Sequence, residues 1–382
     1  MNKYIIIDAD PFCFGPISTS LNIVRELKKR VFPYEIVLLG INTTVQLAES
    51  TGLFDRIVSF NTTDEEEFIK NGELIQNAQL YLSNTNAASI QYLNQYYPLV
   101  RKIFVDTLFW MWDKLYADFR SVEKYYIQNF YGVKEQLETF QGLIINEEVV
   151  NPIINIQAKY QSEKEDTILV NLGGIENIYT GKTEFYHFFA EKLLSVFKQQ
   201  EWNKQYKIYL CGGGKTIDEL RTLYHNPSEQ FYVGVLGQKE YLSKLSTCKY
   251  FLSMPGLTSF YESLFYRANT YFLLPQNYSQ YLQLCAYRSH DSRIKGVSWD
   301  DFSGYVQIKP FIPEIEGIAL IKQCVEQFLQ SEADQNKFFQ DIVSFLYKEK
   351  EGWIESSLFF EHSGAVEIAN GIIGVLEKGD KE

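Results

Sequence analysis

The chain has 382 residues, of which 46% are hydrophobic and 16% aromatic, and its formal net charge is -12 at pH 7. That length exceeds one ordinary α/β core and suits two domains. An acidic chain with no basic stripe lacks the footprint of a polyanion binder, so no nucleic acid is expected as a partner.

In chain order, the N-terminus enters directly as Tyr4-Ile5-Ile6-Ile7, a strand pattern without the basic region and cleavage site of a signal peptide. No run of 18 apolar residues follows anywhere, so no transmembrane segment is expected. The five cysteines, Cys13, Cys211, Cys248, Cys285 and Cys324, stand singly and form no CxxC pair. They imply neither a zinc site nor a disulfide framework, and they fit a reducing cytoplasm.

Short apolar runs alternate with amphipathic stretches of helical length, the pattern of βα units and parallel sheets. In the first half, strands are predicted at Tyr4–Asp8, Glu35–Leu39, Gln79–Leu82, Lys102–Asp106 and Gly142–Ile145. Between the first two, Ile17, Leu21, Val24 and Leu27 share one face, which predicts a helix over Ile17–Lys29. The acidic run Asp64–Glu67 reads as a capped, solvated helix start.

A polar stretch, Gln157–Asp166, reads as a linker, after which the pattern restarts. Strands are predicted at Thr167–Leu172, Lys207–Cys211, Gln230–Val233, Tyr250–Ser253 and Thr270–Leu274. Helices are predicted at Glu184–Gln199, Thr216–Leu223, Lys239–Leu245, Ser259–Tyr266 and Ser279–Ser289. The last third changes character: Ile315–Leu329, Asp334–Lys348 and Ala365–Leu376 read as helices with no strand between them. The expected organisation is an N-terminal domain over 1–156, a C-terminal domain over 157–312 and a helical tail over 313–382, partly packed back on the first domain. In such folds ligands sit at the carboxyl ends of the strands, so a cleft between two facing domains is the expected site.

Four glycine-bearing turns follow predicted strands: Phe14-Gly15-Pro16, Gly173-Gly174, Gly212-Gly213-Gly214 and Pro255-Gly256. Glycine admits close approach of a phosphate, and the following helix offers it free N–H groups. Two familiar motifs fail. Gly214-Lys215-Thr216 resembles the end of a P-loop, but Tyr209 stands where the first glycine belongs. Gly212 and Gly214 resemble a dinucleotide fingerprint, but Ile217 stands at the third glycine position.

The most informative stretch runs from Ser253 through Pro255-Gly256-Leu257-Thr258-Ser259 to Glu262, then through Leu274-Pro275 to Gln276-Asn277-Tyr278-Ser279-Gln280. It places a glycine turn and two hydroxyls at a helix start, a carboxylate about one turn further in, and a cluster of amides after the next strand. N–H groups for a diphosphate, an acceptor for a diol and amides for sugar hydroxyls are what a nucleotide-sugar requires.

This stretch resembles the donor-site motif of GT-B glycosyltransferases, above all the group of the peptidoglycan N-acetylglucosaminyltransferase. The resemblance implies two facing Rossmann-like parallel-sheet domains with a helical C-terminal tail. It implies Glu262 on the ribose hydroxyls, Thr258 and Ser259 near the phosphates, and Gln280 on the sugar or diphosphate. Gly173, Gly174, Gly213, Gly214, Lys215, Gly256, Leu257 and Asn277 complete the implied donor side. Phe14, Gly15, Pro16 and Ser18 sit where the family has its acceptor-facing loop. A narrower resemblance, carried by Phe14–Ser18, Val105–Trp110, Asn171–Gly174 and Pro255–Ser259, is to cytosylglucuronate synthases, which join glucuronic acid from its uridine nucleotide to cytosine.

Inverting transfer of a sugar, from a UDP-sugar, with UDP-glucuronic acid one case, to a small acceptor such as a nucleobase is therefore the expected activity. A nucleotide-sugar hydrolase or 2-epimerase on the same fold, and a non-catalytic nucleotide-sugar-binding partner protein, are the alternatives. The nucleotide-sugar is substrate; no cofactor is expected, and no His/Asp/Glu cluster has metal-ligand spacing. Many inverting relatives carry a histidine in the first glycine loop, whereas His187, His225, His290 and His362 all lie elsewhere. His187 reads as a core or groove residue and His290 as a residue near the donor helix. The base is instead sought at strand ends of the first domain: Asp10 first, Asp106 second, with Asp8 read as structural. Phe109-Trp110-Met111-Trp112 reads as core or, at Trp110, as acceptor-stacking surface.

Overall fold

β1 (Tyr4–Ala9) is buried at every position, as a parallel strand covered on both faces must be. Around it lie β2 (Glu35–Gly40), β3 (Arg56–Ser59), β4 (Leu80–Asn84), β5 (Lys102–Asp106), β6 (Lys124–Gln128) and β7 (Glu147–Val150). All pair in parallel, in the order β3-β2-β1-β4-β5-β6-β7. The crossovers are α1 (Gly15–Lys28), α2 (Thr43–Glu49), α3 (Glu65–Lys70), α4 (Gly72–Gln76), α5 (Ala87–Tyr96) and α6 (Val133–Thr139). α1 carries Pro16 in its first turn, where its fixed φ fits, and buries Ile17, Leu21, Val24 and Leu27 as its periodicity requires. Asp64 caps α3, accepting the Glu67 N–H at 3.0 Å.

This computed structural model describes residues 3–12, 14–156, 163–174, 183–348 and 360–379. The first six residues of the expected linker lie outside them, and β8 already begins at Glu165. The second sheet has six parallel strands: β8 (Glu165–Gly174), β9 (Lys207–Gly213), β10 (Phe231–Gly234), β11 (Cys248–Ser253), β12 (Thr270–Phe272) and β13 (Lys295–Gly296). Their order is β10-β9-β8-β11-β12-β13. Its helices are α7 (Glu184–Gln199), α8 (Trp202–Gln205), α9 (Gly214–Tyr224), α10 (Gln238–Thr247), α11 (Leu257–Phe265), α12 (Tyr278–His290), α13 (Glu314–Gln330) and α14 (Glu332–Tyr347).

The tail is divided between two units: Met1–Ile156 with Phe360–Glu382, and Gln157–Phe359. α13 and α14 belong to the second, where Phe328 packs on Phe185 and Phe339 stacks on Phe189 of α7. α15 (Gly364–Gly379) belongs to the first, where Ala365, Ile368, Ala369, Ile372, Val375 and Leu376 enter the core built on β1 and α1. Asn151 ties it down by donating to Glu367 Oε1 at 3.0 Å.

The strand expected at Gly142–Ile145 does not form. Gly142 has φ +77, and Leu143 and Ile145 are 53% and 57% exposed. The seventh strand begins at Glu147 instead. Among the described residues no helix is long and apolar enough to cross a membrane.

Candidate functional site

In the second sheet β8 lies between β9 and β11. The chain winds outward from β8 to β9 and β10, then returns to β11 and winds the other way. The carboxyl ends of β8 and β11 therefore flank the switch point where an open α/β sheet leaves a crevice for a ligand. The glycine turns at Gly173 and Gly256 occupy those two ends. Gly173 has φ +70, and a Cβ there would meet nothing within 4 Å among the described residues, so glycine is fixed by backbone conformation rather than by lack of space. Gly256 has φ -140 and its Cβ would make only ordinary contacts at 3.9 Å. That position serves as a helix start rather than as an obligatory glycine.

Helix ends decide where an anion can bind. α9 starts on Gly213 and α11 on Gly256, neither with a side-chain cap, so their first N–H groups are unsatisfied by side chains. Thr258 and Ser259 stand half-buried in the first turn of α11, and Leu257 beside them is buried. α12 differs: Asn277 caps it, accepting the Gln280 N–H at 2.9 Å and the Ser279 hydroxyl at 3.0 Å. Both bonds use the side-chain carbonyl oxygen of Asn277. Gln280 Oε1 accepts the Gln276 N–H at 2.8 Å, and its amide NH₂ takes no part in that bond. Gly174 and Gly213 pair across β8 and β9, and Gly214 takes φ +78 to turn the chain into α9. Lys215 is 83% exposed, with its ammonium 4.0 Å from Glu219 one turn on.

Glu262 is the unusual residue. It is 3% exposed on the inner face of α11, and its carboxylate accepts no hydrogen bond from the described residues. Desolvation alone pushes its pKa up to about 8, because nothing nearby repays the charge. Glu262 is thus a buried acceptor one turn inside a helix without a side-chain cap, with no donor among the described residues. Behind it Asn171, at the end of β8, donates to Ser259 Oγ at 3.0 Å and to Tyr241 Oη at 3.3 Å, and accepts the Gly173 N–H at 2.9 Å. Asn171 thus locks the β8 turn to the first turn of α11. Tyr241 comes from α10. In the sequence Asn171 stands out only within the Asn171–Gly174 segment, with no role of its own, and Tyr241 does not stand out; the available signal is an asparagine two residues before a glycine turn at a strand end.

The first sheet has its own switch point, between β1 and β4. Asp10 follows β1 there, half-buried, with its N–H on the Asn84 carbonyl at 3.1 Å. Asn84 donates to the Pro16 carbonyl at 2.7 Å and to Ser20 Oγ at 3.0 Å, fixing the start of α1. Around that start Gly15 is exposed, Phe14 and Ser18 half-buried and Pro16 buried. Thr85, after β4, adopts φ +61, a strained conformation for a β-branched residue.

Asp8 and Asp106 are fully buried, and both pKa values are pushed up to about 6 by desolvation. Asp8 accepts from Thr62 at 2.7 Å, Asn86 at 2.9 Å and Tyr81 at 3.1 Å. Asp106 accepts from the Leu108 N–H at 2.8 Å, Trp112 Nε1 at 2.8 Å and Tyr125 at 2.6 Å. That saturation corrects the second choice of base: Asp106 holds the aromatic turn in place and has no lone oxygen to offer an acceptor. Trp110 packs on Phe130 at 4.8 Å and is 7% exposed, so it belongs to the core. His187 is no core residue; it is partly exposed, 3.1 Å from Glu219. His290, exposed at the end of α12, contacts the Ala286 carbonyl. Among the described residues no group of three or more His, Cys, Asp or Glu could hold a metal ion.

No protein-family model and no curated protein matches the sequence. Solved structures do match in fold. The UDP-GlcNAc 2-epimerase of Methanocaldococcus jannaschii, solved with UDP-GlcNAc and UDP, aligns with a TM-score of 0.57 at 10% identity, over 98% of this chain and 100% of that one. MnaA of S. aureus, solved with UDP, aligns at 0.53 and 11% identity, over 99% of this chain and 97% of that one. The Medicago truncatula glycosyltransferase UGT71G1, solved with UDP-glucose, aligns at 0.51 and 9% identity, over 98% of both chains. At such identities the likeness is one of architecture. Two parallel sheets of seven and six strands with their helices, and a helical C-terminal segment, give this chain the GT-B fold.

Proposed function

We propose that this protein transfers a sugar from a nucleoside diphosphate sugar, of the UDP-sugar class, to a small acceptor with inversion. The observation that carries the reading is Glu262: a buried carboxylate without a donor among the described residues, on a helix whose start is a glycine turn at the switch point of the second sheet. A ribose diol supplies two donors to one carboxylate. The uncapped starts of α9 and α11 suit the diphosphate, whose negative charge grows as it leaves. Gln280 offers its amide to the sugar. Asp10 acts as general base: it takes the acceptor proton as the acceptor attacks the anomeric carbon and the nucleoside diphosphate departs with the electron pair of the broken bond. The loop Phe14–Ser18 contributes the acceptor side. The narrower likeness to cytosylglucuronate synthases makes UDP-glucuronic acid and a nucleobase the first substrate pair to try.

A thermal-shift panel of nucleotides and nucleotide-sugars tests the donor, because a ligand bound only by the native state raises the melting point. A rise with UDP-sugars, followed by acceptor-dependent release of UDP, is the expected result. Equal sugar release without acceptor points to a hydrolase, a 2-epimeric product to an epimerase, and binding without turnover to a non-catalytic partner; each outcome rejects the transferase.

A further inference from the structure

The second unit holds a cavity of about 400 Å³ away from the glycine turns, lined by β12, β13, the end of α12 and the end of α14. α12 begins beside the donor loop and ends at this cavity. Gln280 and Arg288 are eight residues apart on it, about 12 Å at the helical rise. The cavity thus lies toward the opposite ends of the strands from Gly173 and Gly256.

Its lining is chemically selective. Among the described residues Arg288, Lys295 and Lys348 bring three cations to it, against the lining carboxylate of Asp341 and the Asp301 carboxylate paired with Arg288. The guanidinium of Arg288 is fixed in advance by a bidentate pair with Asp301, at 2.6 and 3.0 Å, which uses two of its five N–H donors. Asp301 is itself held by the Ser298 N–H at 2.8 Å, so this cation does not need to be ordered by a ligand. Asp341 accepts the Tyr271 hydroxyl through Oδ2 at 2.7 Å, which orients the carboxylate and leaves Oδ1 as an acceptor. Ser292 and Ser344 add hydroxyls, and Phe345 gives an apolar wall packed on Tyr271 at 5.3 Å. A preset guanidinium and two ammonium groups beside one oriented acceptor suit a ligand that is anionic at one end and hydroxylated at the other, and the volume lies in the range of small-molecule sites.

We propose that this cavity is a second ligand site, separate from the donor site, for a small hydroxylated phosphate ester of the sugar-phosphate class. Two variants test it on the whole chain. Ser344→Trp fills the cavity from the exposed face of α14, and Lys348→Gln removes one cation without touching the Arg288–Asp301 pair. Glucose 1-phosphate and inorganic phosphate are titrated calorimetrically into wild type and both variants, with and without saturating UDP. Saturable glucose 1-phosphate binding that survives UDP, and that weakens at least about 10-fold in both variants at unchanged melting point, is expected. Affinity for inorganic phosphate should be lower. Absence of saturable binding, binding abolished by UDP, or variants that bind like wild type would overturn the assignment. Equal affinity for the two probes would overturn its hydroxyl-reading part.

Discussion

Glu262 has an ordinary pKa of 4.5 that burial pushes up to about 8, so the folded protein binds its proton more tightly than the unfolded chain does. Stability from the neutral form is complete below about pH 4.5 and is lost as pH rises through about 8. Glu262→Gln removes that loss. Its melting point relative to wild type should be higher at pH 9 than at pH 6, by an amount corresponding to roughly a few kcal/mol; parallel melting curves at both pH values would refute it. The same carboxylate predicts ligand behaviour. Glu262→Ala should weaken UDP binding roughly 10- to 100-fold, the scale of a hydrogen bond to a charged group. Two ribose hydroxyls favour the ionised acceptor, so UDP binding near pH 7 should release a proton. Calorimetry in buffers of different ionisation enthalpy measures it directly. The two aspartates at strand ends in the first unit separate cleanly. Asp10→Asn should lower kcat at least roughly 100-fold with donor binding nearly intact. Asp106→Asn keeps one acceptor oxygen but sets an NH₂ against either the Leu108 N–H or the Trp112 and Tyr125 donors, and should cost about 1–3 kcal/mol of stability, read by thermal melts.

At the scale of elements, sequence pattern worked where burial made it strict. α1 shows its inward face at Ile17, Leu21, Val24 and Leu27, and α7 was legible to both ends. β3 and β7 escaped because edge strands face solvent on one side: Arg56 and Ser59 are exposed, as are Glu147 and Val149. β6 reads Lys-Tyr-Tyr-Ile-Gln, where two tyrosines blur the apolar run. Gly142–Ile145 misled for the opposite reason, being apolar yet exposed. α11 and its glycine start were legible because glycine, hydroxyl and carboxylate spacing survives without knowledge of packing. Asn171 was not, since its role depends on β8 and α11 meeting. Packing also sets what α15 tolerates. A Cβ on Gly371 would collide with the Tyr126 hydroxyl. Alanine normally gains about 0.5–1 kcal/mol over glycine inside a helix, but here overpacking should win, at about 1–3 kcal/mol of net destabilisation. Adding Tyr126→Phe removes the nearest atom and should restore part of it. A stabilised Gly371→Ala single variant would show that α15 docks less closely.

At the scale of the whole molecule, the first unit is closed by a helix from the far end of the chain. Sequence pattern found α13, α14 and α15 but joined them in one tail, because nothing in their periodicity says which core each faces. The structure gives the first two to the second unit and the last to the first. Ile368 and Ile372 of α15 are completely buried, and Val375 and Leu376 nearly so. Four such side chains at about 1.5–3 kcal/mol each amount to the net stability of an ordinary domain, about 5–15 kcal/mol. A chain that stops after Tyr347 keeps α13 and α14 but leaves the β1–α1 core uncovered on the side that α15 occupies. It should melt in two transitions, the first unit far below the second, whereas the full chain keeps the first unit folded to higher temperature. The second unit retains Glu262 and both uncapped helix starts, so UDP should still raise its transition. Acceptor-dependent turnover, which needs Asp10 held at the end of β1, should be lost. A truncated chain that melts at the full-length temperature and turns over normally would show that α15 is dispensable and that the first sheet is covered some other way.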